Sequence, residues 1–596
     1  MSHQDPLSFD PALRELLLRA TGDATGTVAE SEGLEQRIPV MVRLHQAGVV
    51  VPELELISSF GTIVTGRIAL GAIRRVRQHP AVASLKASHN FNVERVVTEP
   101  VTTPPSHTAR PGGDGAGVYI GVIDWGFDVG HADLCDANGL SRIAWLWDQR
   151  GHSAAAPSPF GYGREISREA INRALGQPDP YQALGYDPAA IDPRGEGTHG
   201  THVAAIAAGS GRAAGSPPGV APAAELICVH LRGDDTGPAD TLGDSVRVLE
   251  AVDYILRRAG ERPVVINMSL GRTGDSKDGS SPLERALDAA LAARPNRAIC
   301  MSAGNYFSAA LHARVRLRSG NTSELCWLLP RQRRTAAELE LWYGRDDRLL
   351  VELVDGSGRL MLRLAPGASD QCRDSAGRLL ASGYHRRHDP NNGDNLINLF
   401  VHPQAPSGQW RLQIQCQHSQ RGEAHAYIER DHPHSQSRFA AADADPWTSL
   451  GTICCGRLTI ATAAVDGRSG QIAEFSSAGP TRDLRAVPLL AAPGVAIVAA
   501  RSSYIDAQGR RQRHGLVAKS GTSMAAPHVT GTVALMLQRA TRPLWAYEIR
   551  QLLCATARPV RAGAADGVLR YGCGLLDTAA AVEAAASLTH LYQEAP

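Results

Sequence analysis

Ser520-Gly521-Thr522-Ser523-Met524-Ala525-Ala526-Pro527-His528 is the stretch on which the reading of this chain turns. A small, turn-forming Ser-Gly-Thr leads into an apolar, helix-competent run from Met524 to Gln538. A serine at such a boundary stands at a helix N-terminus, where unpaired backbone N–H groups and the helix dipole stabilise negative charge. That suits a nucleophile whose reaction passes through an oxyanion. Taken alone, such a serine is more often a helix cap. The chemistry depends on what distant stretches bring to it.

Three of them matter. Gly117-Val118-Tyr119-Ile120-Gly121-Val122-Ile123-Asp124 is an apolar run ending in an acid, the pattern of a buried parallel strand. The C-terminal ends of such strands are where open α/β sheets place functional groups. Gly197-Thr198-His199-Gly200-Thr201-His202 opens a small-residue helix that Gly209 ends. His199, at the helix entrance, is the better candidate base; His202, one turn on, reads as a hydrogen-bonded core histidine. Val264 to Gly271 and Ala298 to Asn305 are two more apolar strands, separated by the helical stretch Leu283 to Ala293. They make a β-α-β unit, with Asn305 at a strand end able to donate a side-chain N–H.

Asp124, His199, Asn305 and Ser523 lie far apart in sequence, yet one sheet edge can gather them. Serine attack needs a base, the base needs an acid to fix its tautomer, and the tetrahedral intermediate needs a donor. The chain order Asp, His, Ser, with no G-x-S-x-G elbow around Ser523, excludes the chymotrypsin and α/β-hydrolase arrangements.

These residues resemble the subtilases, subtilisin-like serine endopeptidases. The matching stretches are Val122-Ile123-Asp124, His199 to Ala204, Asn267-Met268-Ser269-Leu270-Gly271, Ser302-Ala303-Gly304-Asn305, Phe475 to Thr481, Ala492-Pro493-Gly494 and Gly521 to His528. The resemblance covers 114–305 and 446–583 and implies Asp124, His199 and Ser523 as the catalytic triad, with Asn305 as oxyanion donor. It also implies Ser269, Leu270, Gly271, Ser302, Ala303 and Gly304 as the lining of substrate subsites, their strand edges pairing with an extended peptide. Arg142 to Gln149 and the β-rich stretch after Asn305 are similar to a narrower bacterial branch with an internal jelly roll, which includes the clostridial germination proteases. Residues 36–97 resemble a subtilase prodomain, which in that family assists folding and is cut off by the enzyme itself. Two positions depart from the pattern. Trp125 stands where Ser or Thr usually follows the acid, and Ala205 replaces a glycine.

The expected fold class is α/β: a subtilisin-like, mostly parallel doubly wound sheet with an inserted all-β domain and an N-terminal α+β module. At 596 residues the chain exceeds a single core. Residues 1–35 read as a loose leader with a short helix near Leu13 to Arg19, and 36–97 as the α+β module. The Pro/Thr/Gly-rich 98–113 reads as a linker, and 114–306 as the first part of the catalytic domain. Period-two strands and turn clusters over 307–445 read as a sandwich or jelly roll, 446–586 as the second catalytic part, and 587–596 as a tail.

With 61 basic and 60 acidic side chains the net charge is +1, which implies no nucleic-acid or membrane partner. No signal pattern or membrane-spanning run is visible, so a cytoplasmic location is expected. The ten cysteines lack metal-site spacing and are expected as buried thiols. No metal or other cofactor is expected, and structural calcium is left open. The expected partners are a protein or peptide substrate and the chain's own prodomain. The rival reading is a latent or non-catalytic subtilase scaffold that binds a protein partner.

Overall fold

Strands buried on both faces need apolar residues at consecutive positions, and the continuous apolar runs of this chain form such a sheet. Its order is Leu490–Pro493, Ile460–Val465, Arg297–Ser302, Val264–Met268, Tyr119–Asp124, Glu225–His230, Ile143–Asp148 and Arg164–Ser167. Neighbours are parallel throughout except at the last edge, where Arg164–Ser167 folds back antiparallel on Ile143–Asp148. Alternate side chains enter two cores. Ile120 and Val122 pack with the helices His199–Ala208 and Thr522–Arg539, while Ile123 packs with Ser245–Ala259 and Pro282–Ala292. The computed structural model describes residues 9–21, 35–92, 96–99, 112–151, 155–231, 241–431, 435–560 and 567–588. Most of the expected linker and tail, the rest of the leader, and His432-Pro433-His434 lie outside them.

Between Asn305 and Ile460–Val465 the chain builds two antiparallel sheets of six and five strands. They share one core, in which Trp327 and Trp410 are fully buried beside Leu339, Leu353 and Leu412. The period-two alternation of the sequence marks the inward-facing positions, as in Gly408–His418. Nearer the N-terminus, Glu55–Phe60, Ile63–Ala69, Arg37–Leu44 and Val82–Ala87 form a four-stranded antiparallel sheet with the helix Ile73–Gln78. It sits on the helix Ser245–Ala259. Arg67 makes two hydrogen bonds to Glu250, at 2.8 and 2.9 Å, and Ser58 donates to Asp253 at 2.7 Å.

Three expectations are corrected. The helix Pro11–Thr21 is not part of a loose leader. Leu13 and Leu17 are buried in the core of the N-terminal sheet, and Glu15 accepts from Ser382 Oγ and Tyr384 OH of the inserted sheets. The cause is a polar and apolar face on one helix, each meeting a different module. The linker is not free of structure where it begins: Val97–Glu99 pairs antiparallel with Gly515–Ser520. Finally, Cys554 and Cys573 form a disulfide rather than two thiols. Their segments are brought together where Arg558 and Leu575 exchange backbone hydrogen bonds. Among the described residues no helix is long and apolar enough to cross a membrane.

Candidate active site

Asp124 ends the strand Tyr119–Asp124, and His199 begins the helix His199–Ala208. His199 Nδ1 lies 2.8 Å from both carboxylate oxygens of Asp124, and both side chains are 1% exposed. A carboxylate there accepts, so Nδ1 carries the proton and Nε2 presents its lone pair. Nε2 is buried with no hydrogen-bond partner among the described residues. A second hydrogen bond, from Trp125 N–H to Asp124 Oδ1 at 2.7 Å, holds the acid in place. Trp125 O accepts in turn from Gly200 N at 2.9 Å, which ties the strand end to the helix entrance. The indole of Trp125 packs partly buried against the sheet core, and its Nε1 has no hydrogen-bond partner among the described residues. The unusual residue thus serves the acid through its backbone.

Ser523 is the second residue of the helix Thr522–Arg539, which packs beside His199–Ala208 in one core. Its hydroxyl lies 3.5 Å from Ser269 O, and Ser269 Oγ donates to Ser523 O at 3.0 Å. The first distance is long for an O–H···O bond, so the hydroxyl is held only weakly. Ser269 Oγ also accepts from Asn267 Nδ2, whose oxygen accepts from Thr530 of the same helix. The backbone of Ser523 and the strand end at Ser269 are therefore stapled together.

Asn305 is fixed by a neighbour that the sequence pattern passed over. Its Oδ1 accepts from Thr522 N at 2.9 Å and from Thr522 Oγ1 at 2.8 Å. With the oxygen pinned, Nδ2 points the other way. A Cβ on Gly521 would stand 3.3 Å from Asn305 Nδ2 and 3.7 Å from Ser523 N, so both donors border one small space. That same Cβ would stand 2.9 Å from Val96 Cγ1, so the residue before Val97–Glu99 lies against this space. Thr522 Oγ1 also accepts from Gly304 N at 3.2 Å.

Ser302, Ala303 and Gly304 are held by Cys454 Sγ donating to Ser302 O at 2.8 Å and by Gly451 N donating to Ala303 O at 2.8 Å. Leu270 is buried in the core, and Gly271 leads into a loop anchored on the inserted sheets. His202 is the core histidine expected: Nε2 bonds Ile497 O and Val517 O, each at 3.1 Å, and burial holds its pKa well below the ordinary value. Lys519, on the strand that leads to Ser523, is buried with Nζ donating to Glu196 O at 3.1 Å. Burial lowers its pKa to about 8. Thr522, Cys454 and Lys519 were not singled out from sequence. Thr522 alone had a signal, its place between Gly521 and Ser523.

A buried acid–imidazole pair, a serine at a helix N-terminus and two N–H donors around one space can carry out nucleophilic acyl transfer. Comparison with known proteins agrees with this chemistry. The sequence profile of the subtilase family matches residues 115–322 and 436–574. The minor extracellular protease Vpr of Bacillus subtilis (strain 168) is 42% identical over 79 residues, 13% of this chain and 9% of that protein. Serine protease AprX of the same organism is 43% identical over 86 residues, 14% of this chain and 19% of that protein. The chain thus spans less than a fifth of the length of either relative. The CspB protease of Clostridium perfringens superposes with a TM-score of 0.67 at 22% identity, covering 80% of this chain and 96% of that one. The two matched segments, over half of the 596 residues, carry all four candidate residues: the chain belongs to the subtilase family.

Proposed function

We propose that this chain is a serine endopeptidase that hydrolyses peptide bonds through an acyl-enzyme on Ser523. The observation that carries the reading is the buried Asp124–His199 pair, whose imidazole is held with Nε2 as the acceptor. His199 Nε2 takes the proton of Ser523 Oγ as the hydroxyl attacks the carbonyl carbon. The Asp124 carboxylate stabilises the imidazolium, and Asn305 Nδ2 with Ser523 N–H receives the oxyanion. His199 then gives the proton to the leaving amine, and a water molecule hydrolyses the ester by the same route. Each step uses groups of the chain itself. Ser269, Leu270 and Gly271 on one side, and Ser302, Ala303 and Gly304 on the other, would line the subsites of an extended peptide.

We further read the N-terminal sheet as a prodomain and the inserted sheets as a jelly roll. The packing of two antiparallel sheets, of six and five strands, on one shared core supports the second assignment. The strand Val97–Glu99 supports the first, because it lies antiparallel on the strand that leads directly to Ser523, as the leaving half of a substrate would. Val97 pairs with Ser520 and Val96 lies against the donor space, so self-cleavage is expected at the Arg95–Val96 bond. Intact-mass analysis of wild type and Ser523→Ala, each with and without a fluorophosphonate probe, tests both readings. Wild type alone should gain the adduct and yield a fragment beginning at Val96. An adduct without the cut refutes self-cleavage, and no adduct on wild type refutes the peptidase reading.

A further inference from the structure

Three successive backbone N–H groups follow the strand end Ser269-Leu270-Gly271, and all three point at carboxylates of the inserted sheets. Thr273 N donates to Glu429 Oε1 and Gly274 N to Glu429 Oε2, each at 3.0 Å. Asp275 N donates to Glu340 Oε2 at 2.6 Å. Arg272 Nε donates to Glu429 Oε2 at 2.6 Å, while Thr273 Oγ1 donates to Ile428 O, the residue before Glu429, at 2.5 Å. Consecutive amides converging on an oxygen pair form an anion-binding nest, and here the anion is a side chain more than 150 residues away.

The fit is tight. A Cβ at Gly274 would stand 2.8 Å from Glu429 Oε2 and 2.9 Å from Glu340 Oε1. The loop does not hold this shape by its own preference, since Asp275 and Lys277 sit at φ of 82° and 54°, the left-handed region that non-glycine residues avoid. On its far side Thr452 N donates to Arg272 O at 2.9 Å and Thr452 Oγ1 to Gly274 O at 2.7 Å, which leaves the loop clamped from two sides.

We propose that Glu429 is a positioning residue of the peptidase: through the nest at Thr273 and Gly274 it sets the strand end Ser269-Leu270-Gly271 for an extended peptide. The inference rests on the endopeptidase reading and gives the inserted sheets a part in substrate binding. Glu429 bonds none of Asp124, His199 and Ser523; it fixes the first loop residues after the Ser269 edge, which, with Gly515–Ser520 taken as the leaving side, is the edge left for the acyl side of the peptide.

Glu429→Gln tests this, because neither oxygen can become an NH2 without meeting a donor: Oε1 faces Thr273 N and Arg430 N, and Oε2 faces Arg272 Nε and Gly274 N. The readout is a pair of rates on the full chain. One is kcat and KM for peptides with one to four residues on the acyl side, and the other is the rate of Ser523 labelling by a small fluorophosphonate. KM for the four-residue peptides should rise about tenfold or more, with less change for the one-residue peptide and labelling within twofold of wild type. Glu429→Asp, which keeps the charge, should recover part of the loss. Equal loss in every substrate and in labelling would assign Glu429 a merely structural role and overturn the proposal, as would unchanged length dependence. If Glu429→Gln does not fold, the length dependence of Glu429→Asp decides alone: no change against wild type overturns the proposal. Wild type that neither labels nor cleaves any peptide is a different failure, that of the endopeptidase reading itself.

Discussion

Removing the Asn305 amide is the sharpest test of how the oxyanion is held. The amide cannot rotate freely, because Thr522 places both its N–H and its hydroxyl on Asn305 Oδ1, at 2.9 and 2.8 Å. Nδ2 is therefore aimed before substrate arrives, which is the condition under which a donor contributes most to the transition state. Asn305→Ala should lower kcat by about 10²–10³, or roughly 3–4 kcal/mol, and leave KM nearly unchanged, because the donor meets charge only after attack. Thr522→Val removes one of the two hydrogen bonds on Oδ1, worth about 1 kcal/mol, so kcat should fall roughly five- to tenfold. Thr522→Val acts on Asn305 and, separately, on Gly304 N, which also bonds Thr522 Oγ1. In the Asn305→Ala background only the Gly304 part of its cost should remain, a coupling of about 1 kcal/mol in the double-mutant cycle. Steady-state kinetics on a chromogenic peptide reads all four proteins. A kcat for Asn305→Ala within threefold of wild type removes Asn305 from the mechanism, and strict additivity refutes the role given to Thr522.

Asp124→Asn keeps the shape but sets an NH2 against His199 Nδ1, which disturbs the tautomer; kcat should fall about 10⁴-fold while the fold, read by circular dichroism, is kept. Leu13→Ala empties a fully buried position where the N-terminal helix meets its sheet, and should destabilise that module by about 2–5 kcal/mol in urea unfolding. A loss under 1 kcal/mol would mean that the helix is not docked in solution. Glu284 is buried, and its pKa is pushed up to about 8, chiefly by burial and next by Asp275. Its unfolded pKa lies near 4.3, so between about pH 4.3 and 8 the unfolded chain has lost a proton that the folded chain keeps, and stability declines as pH rises through that window. Glu284→Gln should flatten this slope in chemical denaturation at pH 5, 6.5 and 8, and an unchanged slope refutes the assignment.

Much of the catalytic fold was legible because burial on both faces leaves a mark that needs no partner to be read. The strands at Val122, Ile266 and Ile299 had to be largely apolar, and Asp124, Ser269 and Ser302 stood out as polar residues at their C-terminal ends, with Asn267 the one polar side chain inside the middle strand. The edge strand Arg164–Ser167 carries no such mark: it is four residues long, half-buried, and runs straight into a helix, so its sequence reads as helix. The N-terminal helix was legible as an element but not as a docked one. Its polar face is satisfied by Ser369, Ser382 and Tyr384, some 350 residues away, and nothing local announces them. The same holds for Cys554 and Cys573, whose 19-residue separation matches no spacing signature.

At the site the division runs between residues chosen for chemistry and residues chosen for aim. A serine, a histidine and an acid at strand and helix ends can be found by type, because few other side chains do their work. The groups that aim them can be of almost any type, since they act through the backbone or through one ordinary hydrogen bond. Trp125 serves Asp124 with its N–H, Thr522 orients Asn305, and Glu429 meets two amides from the position just after the strand Glu423–Ile428, where the sequence marks only the end of one more sandwich strand. Substitution at these positions should therefore change how well the site works more than what it does. Asp124→Asn and Thr522→Val separate the two kinds of residue in one assay: a loss near 10⁴ for the first beside five- to tenfold for the second.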